Sequence, residues 1–390
     1  MIDFELTEDH RMVQSLAREV AAKKVKPTIA ELDRASKFDP SLMTALKKAD
    51  LLGICIPEKY GGMGQDYISL GIVCEEMEYA DTSARVIFSV HVGLNSMTLL
   101  GWANEEQKQK YLVPQAKGEK ISTFGLTEPG AGSDAVGIAT TADKDGDNYI
   151  LNGEKHLITN ADFTDLFMVA CHTGPKELGH KCMSALIVER DTPGFVVEEM
   201  AHLMGCKGIG HGILKFENCK VPVKNVVGEE GMGLKVFLGE LEPSRVFVAA
   251  SSLGTAERAL EESIKYAKDR VTFGKPIASR ESIRTLLADM AMDIYGLRLM
   301  LEDVAQKIDT GKPCPLEASI AKTHGLETVC RVTDKAMQVL GGRSYLQSYP
   351  IERLFREARI NVLEEGTPTI QRLVTARAIL SGQLPWSEPW

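Results

Sequence analysis

The periodicity of apolar residues changes twice along the chain, and this constrains the fold more than any single motif. Up to about residue 120 they recur at helical spacing. Thr7 is placed to cap a helix whose first turn carries Glu8 and Asp9, with Met12, Val13, Leu16 and Val20 on one face and Pro27 disrupting the run. Asp39 is expected to cap a second helix, with Pro40 at its first position and Gly53 at its end. A third, over residues 68–79, follows the turn Gly61-Gly62-Met63-Gly64. Between about 121 and 230 the texture becomes strand-like. Asp145-Gly146 and Asn152-Gly153 read as turns flanking Tyr149-Ile150-Leu151, and short runs follow over 166–171, 184–188, 194–197 and 213–216. Such spacing predicts a small antiparallel sheet or barrel. Long helical patterns then return over 241–268, 282–307, 315–340 and 369–380. The fold class is therefore α+β, mainly α, in three regions: 1–120, 121–230 and 231–390.

At 390 residues the chain is long enough for two or three domains with a large core. Charged residues at 25% and hydrophobic ones at 44% are those of a soluble globular protein. A net charge of -9 argues against nucleic acid or an anionic membrane as partner. No apolar run approaches the length of a membrane span, and the acidic N-terminus lacks the marks of a signal or transit peptide. The eight cysteines are scattered, without a Cys-x-x-Cys pair or zinc spacing. Their reading is burial as small hydrophobes in a reducing cytoplasm, with no metal site.

Three segments carry chemistry. Glu365 directly precedes Gly366-Thr367, where glycine allows close backbone approach to a ligand and the hydroxyl can bond a polar edge. The glycine-bent run Phe124-Gly125-Leu126-Thr127-Glu128-Pro129-Gly130-Ala131-Gly132-Ser133-Asp134 lies far upstream, followed by Leu157-Ile158-Thr159-Asn160. Together, and with Pro57–Gly64, Glu105–Leu112, Arg270–Ile277 and Gln338–Gly342 in register, they resemble the acyl-CoA dehydrogenase family of flavoproteins over essentially the whole chain.

That resemblance implies an all-α N-terminal domain, a β-domain contacting FAD, and a C-terminal four-helix bundle. The implied reaction is α,β-dehydrogenation of an acyl-CoA thioester, with electrons passing to an electron-transfer flavoprotein. Glu365 corresponds to the base that takes the α-proton, its backbone N–H helping to hold the thioester oxygen. Thr127, Ser133, Thr159 and Thr367 correspond to FAD contacts. Arg270, Phe273, Gln338 and Gly342 correspond to positions reaching the FAD of a neighbouring subunit, which implies an oligomer, expected to be a homotetramer. Arg245 corresponds to a CoA contact, with a surface helix charge as the plainer alternative. Some branches carry the base immediately before that arginine. Here the position is Ser244, a poor base without a paired histidine.

Several positions depart from the pattern. Leu157 stands where relatives commonly have tryptophan, Glu364 where many have an aromatic residue, and Glu281 where glutamine is usual. Lys207, Ile209 and His211 replace an arginine, serine and threonine pattern, and His211 reads as structural rather than catalytic. Arg85 is the substrate clue. Members acting on dicarboxylic monothioesters such as glutaryl-CoA or benzylsuccinyl-CoA place an arginine there to clamp the distal carboxylate. The competing reading is an arginine on a solvated helix face pairing with Glu75 or Glu78. Short, branched or cyclic monocarboxylic substrates, or a same-fold flavin oxidase, are the functional alternatives.

Overall fold

The computed structural model describes residues 6–200 and 203–384, so the first five residues of the acidic N-terminus and the last six of the chain lie outside it. Helix α1 (Glu8–Val20) starts as expected. The Thr7 hydroxyl accepts from the His10 amide at 3.1 Å, and the His10 ring accepts from the Thr7 amide in return. The turns widen over Ala21–Val25, just short of Pro27. Helix α2 (Ser41–Lys48) begins one residue later than expected: the Asp39 carboxylate accepts from the Ser41 amide and Pro40 itself takes the cap position.

Helix α3 (Tyr67–Ala80) is capped by Asp66 and buries Leu70, Val73, Cys74 and Met77. Helix α4 (Thr82–Ile87) follows Asp81 directly and runs on through widened turns over Phe88–Ser96. These helices share a core with α1 and α2.

The middle region forms one eight-stranded sheet: β1 (Ser122–Gly125), β2 (Thr141–Asp145), β3 (Asn148–Thr159), β4 (Leu166–His172), β5 (Met183–Glu189), β6 (Phe195–Glu199), β7 (His211–Pro222) and β8 (Val226–Val227). The order β6-β7-β3-β2-β4-β5-β8 does not close, so the sheet is not a barrel. Nor is it wholly antiparallel, because β4 pairs in parallel with both β1 and β2. Asp145-Gly146 makes the β2–β3 hairpin turn as expected. Asn152-Gly153 does not turn; it sits inside β3, where the register against β7 shifts. Gly153 has φ +146° and its missing Cβ would meet Thr140 at 2.5–2.8 Å, so only glycine fits this bulge.

Helices α5 (Gly233–Asp269), α6 (Glu281–Asp309), α7 (Pro315–Leu340) and α8 (Pro350–Leu363) pack around a second core, followed by α9 (Pro368–Leu380). Helix α5 starts eight residues before the expected residue 241 and passes through Pro243. Proline removes one ladder hydrogen bond, a cost of about 3 kcal/mol, which the buried faces on both sides offset. Among the described residues no helix is long and apolar enough to cross a membrane, and no group of His, Cys, Asp or Glu could hold a metal ion.

Candidate active site

Helix α8 ends at Leu363 and α9 begins at Pro368, so Glu364–Thr367 form the tight link between them. Thr367 caps α9, its hydroxyl accepting from the Ile370 amide. Glu365 has φ +52° and Gly366 φ +97°. A left-handed glutamate is uncommon and persists only where its surroundings over-determine it. Here they do. Lys322, in the middle of α7, is fully buried, and its ammonium donates to the carbonyls of Glu364 and Glu365, both at 2.7 Å.

The Glu365 carboxylate meets the Ser244 hydroxyl of α5 at 2.5 Å. Thus Ser244, which the resemblance offers as the alternative position for a base, here donates to the Glu365 carboxylate. Burial pushes Glu365 above the usual carboxylate range, and neighbouring Glu364 adds to this. Lys322, Ser244 and Arg85 pull the other way. Burial also pushes Lys322 down to about 8, against the attraction of Glu365 and Glu364. The arrangement is a carboxylate kept from full hydration and held in place, its affinity for a proton raised.

Arg85 lies beside this carboxylate, fully buried rather than on a solvated face. Its Nε donates to Glu78 at 2.8 Å, Nη1 to Ser89 at 3.0 Å, and Nη2 to Asn361 and to Glu364 at 2.7 Å. Its guanidinium is therefore already matched by two internal carboxylates. Arg245 points across to α7, donating to Ser319 at 3.1 Å, one turn before Lys322. Three cations (Arg85, Arg245, Lys322) and three carboxylates (Glu78, Glu364, Glu365) converge on one place.

The sheet brings the glycine-bent loop and the end of β3 to the same side. Phe124 of β1 packs on Phe237 of α5 with ring centroids 4.4 Å apart. Cys206, in the loop before β7, is buried within electrostatic reach of Arg85 and Glu364. Thr127 accepts the His156 amide on its carbonyl, and the Thr159 carbonyl accepts the Thr123 hydroxyl. Both backbones are thereby fixed while the Thr127 and Thr159 side chains stay half-exposed and Ser133 stays exposed.

Two groups unnoticed in the sequence hold this loop. Buried Glu128 accepts from the Thr140 amide and hydroxyl, the Ala139 amide, and the ammonium of fully buried Lys155 at 2.7 Å. Burial would raise the Glu128 carboxyl, but Lys155 and these donors hold it below its ordinary value.

Leu157 is exposed with φ +57°, at the register shift between Lys155 and Ile158. His211, paired in register with Thr159, is buried in β7 and not in a loop, and burial pushes it down to about 4. Both His211 ring nitrogens, both Asn160 side-chain polar atoms and Gln371 Oε1 are buried without hydrogen-bond partners among the described residues. Orphaned polar atoms of this kind fit a site that a polar ligand completes.

The remaining expected cofactor residues are not at this place within one chain. Arg270 follows the end of α5, and Phe273 is 96% exposed at a hairpin tip with φ +49°. Gln338 is exposed on α7, bonded to Asp334, and Gly342 lies just beyond α7 facing open space.

Family comparison fits this geometry along the chain. Residues 7–119, 123–219 and 231–380 match, respectively, the N-terminal, middle and C-terminal domains of acyl-CoA dehydrogenase. The chain belongs to the acyl-CoA dehydrogenase family. A probable acyl-CoA dehydrogenase of Bacillus subtilis is 39% identical over 379 residues, covering 97% of this chain and 100% of the relative. The solved butyryl-CoA dehydrogenase of Megasphaera elsdenii superposes with a TM-score of 0.95 at 38% identity, covering 97% and 100% of the two chains. A chain from a structure described as the electron transferring flavoprotein of Acidaminococcus fermentans does so at 0.95 and 40%, with the same coverage. As an acyl-CoA dehydrogenase, the protein is a flavin oxidoreductase.

Proposed function

We propose that this chain is an FAD-dependent dehydrogenase of short, monocarboxylic acyl-CoA thioesters, with Glu365 as the base that removes the α-proton. The observation that carries the reading is the Glu365 carboxylate, raised by burial and held between Ser244 and Lys322. An α-C–H beside a thioester is too weak an acid for a carboxylate in water. Withdrawing the base from water raises its proton affinity, and fixed donors on the carbonyl oxygen stabilise the enolate-like transition state, each by about 3–4 kcal/mol. The Glu365 amide is assigned as one such donor. Ser244 and Lys322 spend no motion during the step because they already fix the carboxylate and the backbone that bears it.

Thr127, Ser133, Thr159 and Thr367 are assigned to hold FAD, with the orphaned Asn160, His211 and Gln371 atoms as further contacts. FAD, when bound, supplies the acceptor for the hydride leaving the β-carbon. Arg270, Phe273, Gln338 and Gly342 are assigned to complete a neighbour's site in an oligomer, a homotetramer in this reading. Arg245 is assigned to the CoA moiety, and an electron-transfer flavoprotein to the role of acceptor. A short monocarboxylic acyl chain is preferred to a dicarboxylic one because Arg85 is already matched by Glu78 and Glu364. It also accords with the likeness to butyryl-CoA dehydrogenase.

Anaerobic addition of butyryl-CoA should bleach the bound flavin. Glu365→Gln should keep the flavin and abolish bleaching; substantial residual bleaching would place the base elsewhere.

A further inference from the structure

Arg85 has two anionic partners of very different character. Glu78 is fully buried and welded in place: besides Arg85, it accepts from the Thr82 hydroxyl at 2.7 Å, the Thr255 hydroxyl at 2.8 Å and the Asn361 amide at 3.0 Å. Glu364 sits in the extended link after α8, its side chain is 17% exposed, and Arg85 Nη2 is the one side-chain donor to its carboxylate among the described residues. It is also the residue next to the base. Nε and Nη1 are thus fixed to the scaffold, while Nη2 is shared between buried Asn361 and a carboxylate at the edge of the reaction site.

We infer that Glu364 is an internal plug: its carboxylate occupies the Arg85 arm that a substrate's second carboxylate would take, and so makes the enzyme select against dicarboxylic acyl thioesters. This rests on the reading of Glu365 as the base of an acyl-CoA site. The charge count gives the reason. The Arg85 guanidinium already faces two carboxylates, those of Glu78 and Glu364. A substrate carboxylate entering there would be a third anion on one guanidinium in a poorly hydrated place. It could bind only by evicting Glu364 from a charge-assisted hydrogen bond and leaving that group unpaired. Replacing Glu364 with a neutral residue of the same shape removes one anion and leaves one Nη2 N–H without a carboxylate, the condition for capturing a substrate carboxylate. Selectivity would then come from a repulsive element as much as from an attractive one.

The test is the ratio of kcat/KM for glutaryl-CoA to that for butyryl-CoA in the FAD-loaded enzyme, together with the affinity of each measured calorimetrically without an electron acceptor. Glu364→Gln should raise the glutaryl-to-butyryl ratio roughly ten- to a hundredfold, the span of a charge-assisted hydrogen bond. Adding Arg85→Gln should return it to the parental value. Glu364→Ser serves as the second variant should Glu364→Gln fail to retain flavin. A ratio within about twofold of the parent's in the folded variant overturns the plug. Should butyryl-CoA fail to bleach the parent flavin, the proposed reaction falls, while the two binding affinities still decide whether Glu364 excludes the carboxylate.

Discussion

Replacing Lys322 with methionine tests the account of the base most directly. The substitution keeps the length of the stem inside α7 and removes only the ammonium that grips the Glu364 and Glu365 carbonyls. Two effects follow. The strained Glu365 backbone loses two charged hydrogen bonds of about 1.5–3 kcal/mol each, and a left-handed residue without such support relaxes. The base also loses its principal cation. A unit charge roughly 5 Å away at an effective dielectric constant near 20 is worth about 3 kcal/mol, or about two pKa units. Lys322 lowers the Glu365 pKa, so its removal raises it further. A base must be unprotonated to act, so the acidic limb of the kcat/KM profile should move to higher pH by one to about two units. At neutral pH kcat should fall on the order of a hundredfold, the two losses combining. The assay is anaerobic flavin reduction by stopped flow from pH 5.5 to 9, with flavin content and thermal melting as controls on folding. An unchanged acidic limb in a folded, flavin-loaded Lys322→Met enzyme would refute the assigned role.

Lys155→Met should leave Glu128 buried without a cation, a change that costs about 3–5 kcal/mol; calorimetry should show a lower Tm, and the glycine loop should bind FAD more weakly in titrations of apoprotein. His91 is fully buried and neutral, its Nδ1 accepting from the Ser122 amide at 3.1 Å and its Nε2 facing the Gln115 carbonyl at 3.2 Å; burial pushes its pKa down to about 4. The unfolded chain therefore binds the extra proton first: this stability is fully present above about pH 6.5 and is lost as pH falls towards 4, on the order of 3 kcal/mol. Urea unfolding at pH 7 and pH 4.5 should show the loss, and His91→Asn should reduce it.

The order helices, sheet, helices was legible because hydrophobic periodicity is a local signal. What the sequence hid were features set by distant contacts. The open edge of the sheet depends on which strands meet across dozens of residues, as β3 and β7 do, so strand spacing alone could not separate a sheet from a barrel. Asn152-Gly153 carries the chemistry of a turn, yet the long β3–β7 pairing makes it a bulge. Pro243 and the preceding glycines concealed the first two turns of α5, which tertiary packing retains.

In the site, the motif drew attention to Glu365, but Lys322 and Lys155 were passed over. Both left a trace: Lys322 falls on the stripe of Ser319, Leu326 and Val329, where α7 is otherwise apolar or small, and a charge there without a visible partner calls for one. Arg85 could be singled out as unusual, but its partner Glu364 lies 279 positions away and only folding joins them.

Because Glu365 occupies a left-handed turn locked to α7 through Lys322 and to α9 through the Thr367 cap, its main chain has nowhere to go. Shifting it would release two carbonyls and unwind a helix start together. If Glu365 is the proton acceptor proposed above, any adjustment to substrates of different size must then come from side-chain rotation around a main chain that stays put.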